Sequence, residues 1–163
     1  MLTLLLMIPL AGMLIILILR KSSVQLIRIV ALLATGMTFL ACLQLLIYFE
    51  PAHGLQFEEQ AAWIPQLGVS YHVGIDGMSM PMVLLTTLLG FLACIASFSI
   101  TERHKEYFSL YLLLEIGMLG TFVALDLFLF YVFWEVVLVP MYFLIGIWGG
   151  GRREYSAFKF FVY

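Results

Sequence analysis

The sequence predicts an all-α protein: a polytopic transmembrane helix bundle of about five spans plus the start of a sixth, with a short extramembrane β-hairpin. Three observations lead to this prediction. Of the 163 residues, 64% are hydrophobic and 11% are charged, whereas soluble domains are about 45–50% apolar and about 25% charged. The mean hydropathy is +1.09. The apolar residues fall in long runs, and the basic residues cluster at one end of those runs.

Five apolar runs are long enough to cross a bilayer, since a spanning helix needs about 20 residues. They cover residues 2–19, 25–48, 80–100, 108–125 and 127–148. A sixth run begins at Ala157. The first run is not a signal peptide, because positive charge precedes the apolar core of a signal peptide, and here Arg20 and Lys21 follow it. We therefore expect a retained helix that is kinked at Pro9, or repaired there by a neighbouring helix.

Capping and turn residues mark the ends of the later runs. Ser22–Ser23 offers an N-cap to the second run. Asp76 or Ser79 can cap the third, and Pro81 is tolerated in the first turn of that helix. The three glycines at 149–151 stop the fifth.

The basic residues predict the topology. They are Arg20, Lys21, Arg28, Arg103, Lys105, Arg152, Arg153 and Lys159. If the spans alternate, all eight lie on one side of the membrane or in the adjoining turns, while segment 50–77 and the turn at Asp126 lie on the other side without Lys or Arg. The positive-inside rule then places the N-terminus outside and loops 20–24, 101–107 and 149–156 in the cytoplasm.

The outer loop, 50–77, is the one sizeable polar region of the sequence. Residues Val69–Val73 alternate between apolar and polar side chains, and Gly68 and Gly74 bound them. This pattern predicts a strand of a β-hairpin. We interpret the hairpin as a cap over the helix ends, because loops with Gly and Pro turns are mostly connectors.

The sequence gives no support for cofactor or metal chemistry in this chain. All three histidines are expected in loops: His53, His72 and His104. A haem-binding anchor would need axial ligands within its spans. Cys42 and Cys94 fall in separate apolar runs and are expected to be packing residues, and no Cys/His cluster has metal-ligand spacing. We expect no cofactor and no metal.

Two acidic residues, Glu115 and Glu135, interrupt the apolar runs. A carboxylate at the centre of a spanning helix costs roughly 2.5–3.5 kcal/mol, so ionisable groups there usually face protein or water and handle protons or ions. No Lys or Arg lies near the midplane, so an ionised Glu135 needs a cation from a further helix or another subunit. We expect Glu135 to act in proton translocation. For Glu115, a role in proton transfer and a protonated contact between helices are equal alternatives.

The position of the turn at Asp126 predicts how deep the two acids lie. Glu115 precedes it by eleven residues and Glu135 follows it by nine. At about 1.5 Å per residue, both lie near the midplane, roughly 16 and 13 Å below the outer surface, on antiparallel neighbouring helices. Pro140 lacks an N–H, so the carbonyl of Val136 loses its helical donor. The sequence therefore predicts a kink beside Glu135, with a plain packing kink as the alternative.

Two stretches resemble a known family. Residues 73–84, VGIDGMSMPMVL, and residues 125–150, which include Phe-Trp-Glu and Val-Pro-Met-Tyr, resemble the ND4/NuoM subunit family of respiratory complex I. Residues 157–163 look like the start of the next helix of that family. The resemblance is weak over the first 60 residues and strong from Trp63 onward. The second stretch is typical of the antiporter-like superfamily.

The resemblance implies a fold of fourteen transmembrane helices with two inverted five-helix repeats. It also implies proton translocation driven by NADH oxidation and quinone reduction in other subunits. In the family, the glutamate matching Glu135 pairs with a lysine on a later helix and tunes the proton affinity of that lysine. No family role is carried over to Glu115. The expected partners are other antiporter-like membrane subunits of complex I and the lipid bilayer, with no nucleic acid.

On this reading the chain has two parts. Residues 1–107 hold three N-terminal helices with the outer loop 50–77, and residues 108–163 hold the truncated start of the proton-translocating repeat. We expect an N-terminal fragment that does not translocate protons alone. The expected location is the inner (plasma) membrane of a bacterium.

Two other function classes compete with this one. A subunit of an Mrp-type cation/proton antiporter or of an energy-converting hydrogenase would share the same helices and carboxylates. A purely structural membrane anchor would have no use for an acid near the midplane such as Glu135 beside Pro140.

Overall fold

The computed structural model describes residues 1–50 and 54–162. In these residues the chain forms six α-helices and one two-stranded antiparallel sheet. The helices are α1 (Leu2–Ile18), α2 (Val24–Tyr48), α3 (Ser79–Ala96), α4 (His104–Val123), α5 (Leu127–Trp148) and α6 (Arg153–Val162), and the strands are β1 (Gln56–Ile64) and β2 (Val69–Ile75). Short 3₁₀ turns cover Pro65–Leu67 and Ser97–Ser99. The predicted helix bundle with an extramembrane hairpin is confirmed.

Four helices in the described residues are long and apolar enough to cross a membrane: α2, α3 with its 3₁₀ extension, α4 and α5. Helix α1 is equally apolar but has 17 residues, the short end of the range for a spanning helix. The five predicted spans therefore correspond to four long helices and one shorter one. The chain is a multi-pass membrane protein.

Two helices begin earlier than predicted. Helix α4 begins at His104 rather than at residue 108, so the prediction that His104 lies in a loop is wrong. Glu106 in the first turn of α4 favours this earlier start, because acidic side chains stabilise a helix N-terminus. Helix α6 begins at Arg153 rather than at Ala157. His72 lies on β2 as an extramembrane residue, and His53 lies outside the described residues.

Some of the predicted capping interactions at the helix ends are present and others are not. Ser23 occupies the N-cap position of α2, but its side chain makes no capping hydrogen bond. Asp76 does cap α3, since its Oδ1 accepts the backbone N–H groups of Met78 at 3.1 Å and Ser79 at 2.7 Å. Helix α5 ends at the residue before the glycines 149–151, as predicted.

The hairpin is longer than the alternating segment predicts. Strands β1 and β2 pair antiparallel, with Gln56 opposite Ile75 and Ile64 opposite Val69. Between them, Gly68 has φ +67°, a backbone conformation that suits glycine because it has no Cβ. The prediction that Gly74 bounds the strand is wrong: β2 continues through it because residues 73–75 are all buried under neighbouring segments.

The hairpin packs against the turn between α4 and α5. The N–H of Leu125 donates to the carbonyl of His72 at 2.9 Å, and Val73 forms a β-bridge with Ala124. Asp126 extends this contact: its Oδ2 accepts the N–H of Ser70 at 3.2 Å. We call this side of the bundle, formed by Met1, residues 54–78 and residues 124–126, the hairpin end.

The opposite side, formed by residues 19–23, 97–103 and 149–152, is the basic end. Lys105 Nζ donates to the carbonyls of Leu17 at 2.7 Å and Leu19 at 2.8 Å. Arg28, in the second turn of α2, reaches the same end and donates to the carbonyl of Ile100 at 3.0 Å. At the end of α5, Trp148 Nε1 donates to the carbonyl of Glu102 at 2.9 Å. Together these contacts confirm that the basic loops share one side of the bundle.

Asp126 also starts α5. Its Oδ1 accepts the N–H of Phe128 at 2.9 Å and of Leu129 at 3.2 Å. The backbone N–H of Ser70, followed by that of Leu129, holds the pKa of the Asp126 carboxyl below its usual range, because donated hydrogen bonds favour the ionised form. One side chain thus caps a helix and fastens the hairpin to it.

Replacing Asp126 with Ala is expected to loosen the hairpin, measured as faster amide hydrogen exchange at Ser70. The pKa of Asp126 is lowered in the folded protein, so its carboxylate stabilises the folded state. This stabilisation is complete above the ordinary pKa of an aspartate, about 3.9, and is lost as the pH falls through the lowered pKa. The control is Asp76→Ala, which should speed exchange at Ser79 instead. Unchanged protection of Ser70 in Asp126→Ala would contradict the tethering role.

Candidate functional site

Glu115 and Glu135 lie at the same depth. Glu115 precedes the last residue of α4, Val123, by eight positions, and Glu135 follows the first residue of α5, Leu127, by eight. Eight residues correspond to about 12 Å along a helix. Helices α4 and α5 run antiparallel and pack against each other. Gly117 of α4 lies against Phe133 and Val137 of α5, which confirms that the two acids lie at a similar level on neighbouring helices; their depth below the membrane surface stays a prediction.

Two glycines bring α4 and α5 close together. A Cβ on Gly117 would lie 2.7 Å from Val137 Cγ2 and 3.1 Å from the Val137 backbone N. A Cβ on Gly120 would lie 2.2 Å from Cδ1 of the Phe133 ring. Small residues on one helix allow a second helix to approach at this distance in a membrane. The Phe133 and Val137 face of α5 therefore rests directly on the glycine face of α4.

The two carboxyl groups point away from this contact. Successive residues of an α-helix are turned by about 100°, so residues two positions apart lie on nearly opposite sides. Glu115 is two positions from Gly117, and Glu135 is two positions from both Phe133 and Val137. The structure therefore places the two acids at one depth but does not bring them together in one site.

Glu115 is buried between helices. Its side chain is 1% exposed, and neither carboxylate oxygen has a hydrogen-bond partner among the described residues. The carboxyl group lies against Gly90 of α3, where a Cβ would be 2.9 Å from Oε1. One turn earlier on α4, the Tyr111 hydroxyl donates to the Gly90 carbonyl. Glu115 thus occupies a notch in α3 that exists because residue 90 has no side chain.

Glu135 lies on the uncovered face of α5. It is exposed in this chain, as are Tyr131 and Trp134 on the same stretch. The Tyr131 hydroxyl, one turn earlier, approaches the Glu135 carboxylate. Of the 22 residues of α5, two are buried, Leu129 and Pro140. An ionisable group at this depth normally faces protein or water and not lipid, so this face of α5 is suited to contact with further helices.

Pro140 lies inside α5 and is buried. It follows Glu135 by five positions, which places it on the packed side of the helix and away from the carboxylate. Helix α5 runs without a break from Leu127 to Trp148. Because proline has no N–H, the carbonyl of Val136 lacks its helical donor at position 140. Val136 follows Glu135 directly, so this turn of the helix is where the proline affects the surroundings of the acid. The kink beside Glu135 stays a prediction.

Sequence reasoning missed two residues of the Glu115 environment, Gly90 and Tyr111. Tyr111 could have been found, because it lies four residues before Glu115 and so on the same face of α4. For Gly90 the sequence carried no signal, since its position opposite Glu115 depends on how α3 packs against α4. Cys42 and Cys94 are free and buried. Within the part of the chain that the structure describes, no three His, Cys, Asp or Glu residues are grouped so that they could hold a metal ion.

Comparisons with known proteins give the following relatives. Residues 124–163 match the family model described as "NADH:quinone oxidoreductase/Mrp antiporter, TM". The chain is 52% identical over 135 residues to the NADH-quinone oxidoreductase subunit M of Rhodobacter capsulatus, covering 82% of this chain and 26% of the relative. It is 43% identical over 139 residues to the subunit M of Rickettsia typhi, covering 84% and 28%. The chain thus spans roughly a quarter of the length of these relatives.

Two solved structures share the fold. A chain of respiratory complex I from Thermus thermophilus with bound NADH superimposes with a TM-score of 0.83 and 29% identity, covering 99% of this chain and 32% of that one. A chain of the archaeal membrane-bound sulfane sulfur reductase matches with a TM-score of 0.82 and 22% identity, covering 99% and 33%, and shows the fold alone. By its sequence and its helix arrangement, the chain belongs to the family of NADH:quinone oxidoreductase and Mrp antiporter membrane subunits.

Proposed function

We propose that the protein to which this chain belongs is a proton-translocating membrane subunit of NADH:quinone oxidoreductase, in which quinone reduction in other subunits drives proton pumping. The observation that carries the proposal is Glu135, a carboxylate about 12 Å inside an apolar helix on a face that the chain leaves uncovered. The similarity to subunits M supports the same function. The chain itself carries out no redox chemistry and binds no cofactor.

Glu135 acts by controlling a neighbouring positive charge. The basic residues of this chain lie at or near the basic end, so the cation that pairs with Glu135 is supplied by another helix of the full protein. An ionised carboxylate stabilises a protonated lysine, and moving the two apart lowers the affinity of the lysine for its proton. Repeated pairing and separation would therefore load and release protons.

The face around Glu135 is suited to a protein partner. Tyr131 and Trp134 are more than half exposed and Val139 is 46% exposed. Together they frame the carboxylate with apolar and aromatic surface. A helix packed here would exclude lipid from Glu135 and place a lysine beside it. The partners we propose are later helices of the same subunit and the antiporter-like neighbours in complex I.

The two parts of the chain take different roles in this proposal. Residues 1–107 form a supporting helix group with the outer loop, and residues 108–163 form the start of the proton-translocating repeat. The family model begins at residue 124, inside the second part. Within that part, Glu135 is the proton-transfer residue, Pro140 opens the turn beside it, and Glu115 is a second candidate.

A second candidate function is that of a subunit of an Mrp-type cation/proton antiporter, or of another membrane complex of the same fold. The family description names Mrp antiporters beside the oxidoreductases, and the sulfane sulfur reductase chain matches nearly as well in fold. Proton uptake driven by NADH oxidation favours the first function. Proton movement that needs an opposing sodium gradient and no NADH favours the second.

The test of the proposed function is the number of protons translocated per NADH oxidised. It is measured in sealed membranes that contain the assembled complex with the full-length subunit, and again with Glu135 substituted. Pumping that follows NADH oxidation and depends on Glu135 supports the proposal. The proposal would be contradicted if NADH were oxidised and no protonophore-sensitive pH change accompanied the oxidation.

We further propose that the protein lies in the plasma membrane of a bacterium with its hairpin end and N-terminus outside. We expect a membrane-impermeant thiol reagent, added to intact cells, to label Gln60→Cys and to leave Arg152→Cys unlabelled. Both positions are exposed, while the native Cys42 and Cys94 are buried. Permeabilised cells, in which both variants should react, provide the control. Labelling at position 152 alone in intact cells would reverse the assignment.

A further inference from the structure

The Glu115 notch has the features of a site that holds a proton and a water molecule. Both oxygens of its carboxyl group are buried without a partner among the described residues. Buried polar groups nearly always have a hydrogen-bond partner, and an exception calls for a physical explanation such as an internal water. The carboxyl group of Glu115 lies against the backbone of α3 at Gly90, where no side chain separates it from that backbone.

The charged and titratable groups around Glu115 leave it without a counter-ion. Among the described residues, Tyr111 on α4 and Cys94 on α3 lie within electrostatic reach. From α2, Thr35 faces Cys94. Helix α1 has no titratable side chain, and Glu135 of α5 lies on the far side of α4. An ionised carboxylate without a cation is costly in a membrane interior, so the neutral acid is the form that this notch favours.

A polar partner for a water molecule is present at the notch. The Tyr111 hydroxyl donates a hydrogen bond to the Gly90 carbonyl. The lone pairs of the hydroxyl oxygen can therefore accept a hydrogen bond from a water. A water held between Tyr111 and Glu115 would gain at least two polar contacts, as an internal water requires. A groove of about 290 Å³ between α3 and α4, lined in part by Gly90, Tyr111 and Thr86, provides room beside the notch.

We propose that Glu115 is a neutral carboxylic acid that binds an internal water against Gly90 and Tyr111, and that it forms a second proton-binding site on the opposite side of α4 from Glu135. The site is a separate one, because the packed contact of Gly117 and Gly120 with α5 stands between the two acids. The inference does not depend on proton transfer at Glu135. It assigns a protonation state, a water and a location to Glu115, a residue to which the resemblance carries over no role.

Infrared spectroscopy of the assembled complex tests this assignment. We expect the difference between the infrared spectra of the unsubstituted and Glu115→Gln complexes to contain a carbonyl band of a protonated carboxylic acid, and we expect this band to be kept in Glu135→Gln. The band should move to lower frequency in D₂O, since a hydrated acid exchanges its proton. Pumping is not part of this readout, so failure of the proposed function and failure of this site give different results.

Two further variants test the geometry. Gly90→Ala should shift the band without removing it, because the added methyl group displaces the carboxyl group from a position 2.9 Å away. Tyr111→Phe should shift it by removing the water partner. The control is Gly146→Ala on α5, where the new Cβ meets Ala157 at an ordinary 3.4 Å, and the band should stay in place.

Three results would overturn the proposal. If Glu115→Gln assembles and loses no acid band, the group is ionised and not neutral. A band that is lost in Glu115→Gln but does not exchange in D₂O would make Glu115 a dry contact between helices. A band unmoved by both Gly90→Ala and Tyr111→Phe would place the acid outside the notch; these two variants also decide the matter if Glu115→Gln fails to assemble.

Discussion

Replacing Glu135 with Gln is expected to lower proton pumping, and the NADH oxidation coupled to it, by about tenfold or more in a complex that still assembles. Glutamine keeps the size and hydrogen bonding of the side chain but cannot ionise. Loss of the negative charge weakens the binding of a proton by a neighbouring lysine. A shift of one pKa unit in that lysine corresponds to about 1.4 kcal/mol and a factor of ten.

The measurement compares proton uptake and NADH oxidation in membranes with equal amounts of assembled complex. Glu135→Asp should retain part of the activity if the shorter side chain still reaches its partner. Tyr131→Phe is a matched control on the same face, since it removes the hydroxyl that approaches Glu135 and leaves the carboxylate. We expect Glu115→Gln to have a smaller effect than Glu135→Gln. Full pumping by the assembled Glu135→Gln complex would leave Glu135 as a packing residue.

Replacing Gly120 with Val is expected to destabilise the contact between α4 and α5 and to reduce the amount of assembled complex. The position of a Cβ at residue 120 is 2.2 Å from the Phe133 ring, so the ring or the helix must move. Overpacking of a closely packed interface costs about 1–3 kcal/mol. The loss should appear as a lower thermal transition of the purified complex and as faster proteolysis of the subunit in membranes.

A second substitution identifies the clash as the cause. Phe133→Ala removes the ring from the position of the new side chain, so Gly120→Val with Phe133→Ala should be more stable than the sum of the single effects predicts. Gly54→Val is the control, because a Cβ at residue 54 meets nothing within 4 Å. Strictly additive losses in the double variant would show that Gly120 is needed for some other reason than its contact with Phe133.

Much of the fold follows from local properties of the sequence. Apolar run length predicts α2, α3 and α5 to within a few residues, because a helix in lipid must satisfy its own backbone hydrogen bonds. The grouping of the basic residues predicts which helix ends share a side, and the Lys105 and Arg28 contacts bear this out. The equal depth of Glu115 and Glu135 follows from counting residues about one turn, since helical rise is constant.

The start of α4 was predicted four residues too late, because the prediction rested on the length of the apolar run. Residues 104–107 are polar and do not extend an apolar run, so hydropathy ends the span at residue 108 while the backbone continues as helix from His104. Hydropathy reports which residues can lie in lipid, whereas a helix can extend past the membrane surface into water.

The sequence by itself determined that this is a membrane protein with two acids at a similar level along neighbouring helices, and which ends of its helices lie together. Only the tertiary structure decided which way each acid faces. Glu115 turns to the Gly90 notch of α3, and Glu135 turns to an open face of α5. The physical reason is that rotation of a helix about its axis is set by the shapes of its neighbours. Here the glycines of α4, which admit Phe133 and Val137, set that rotation.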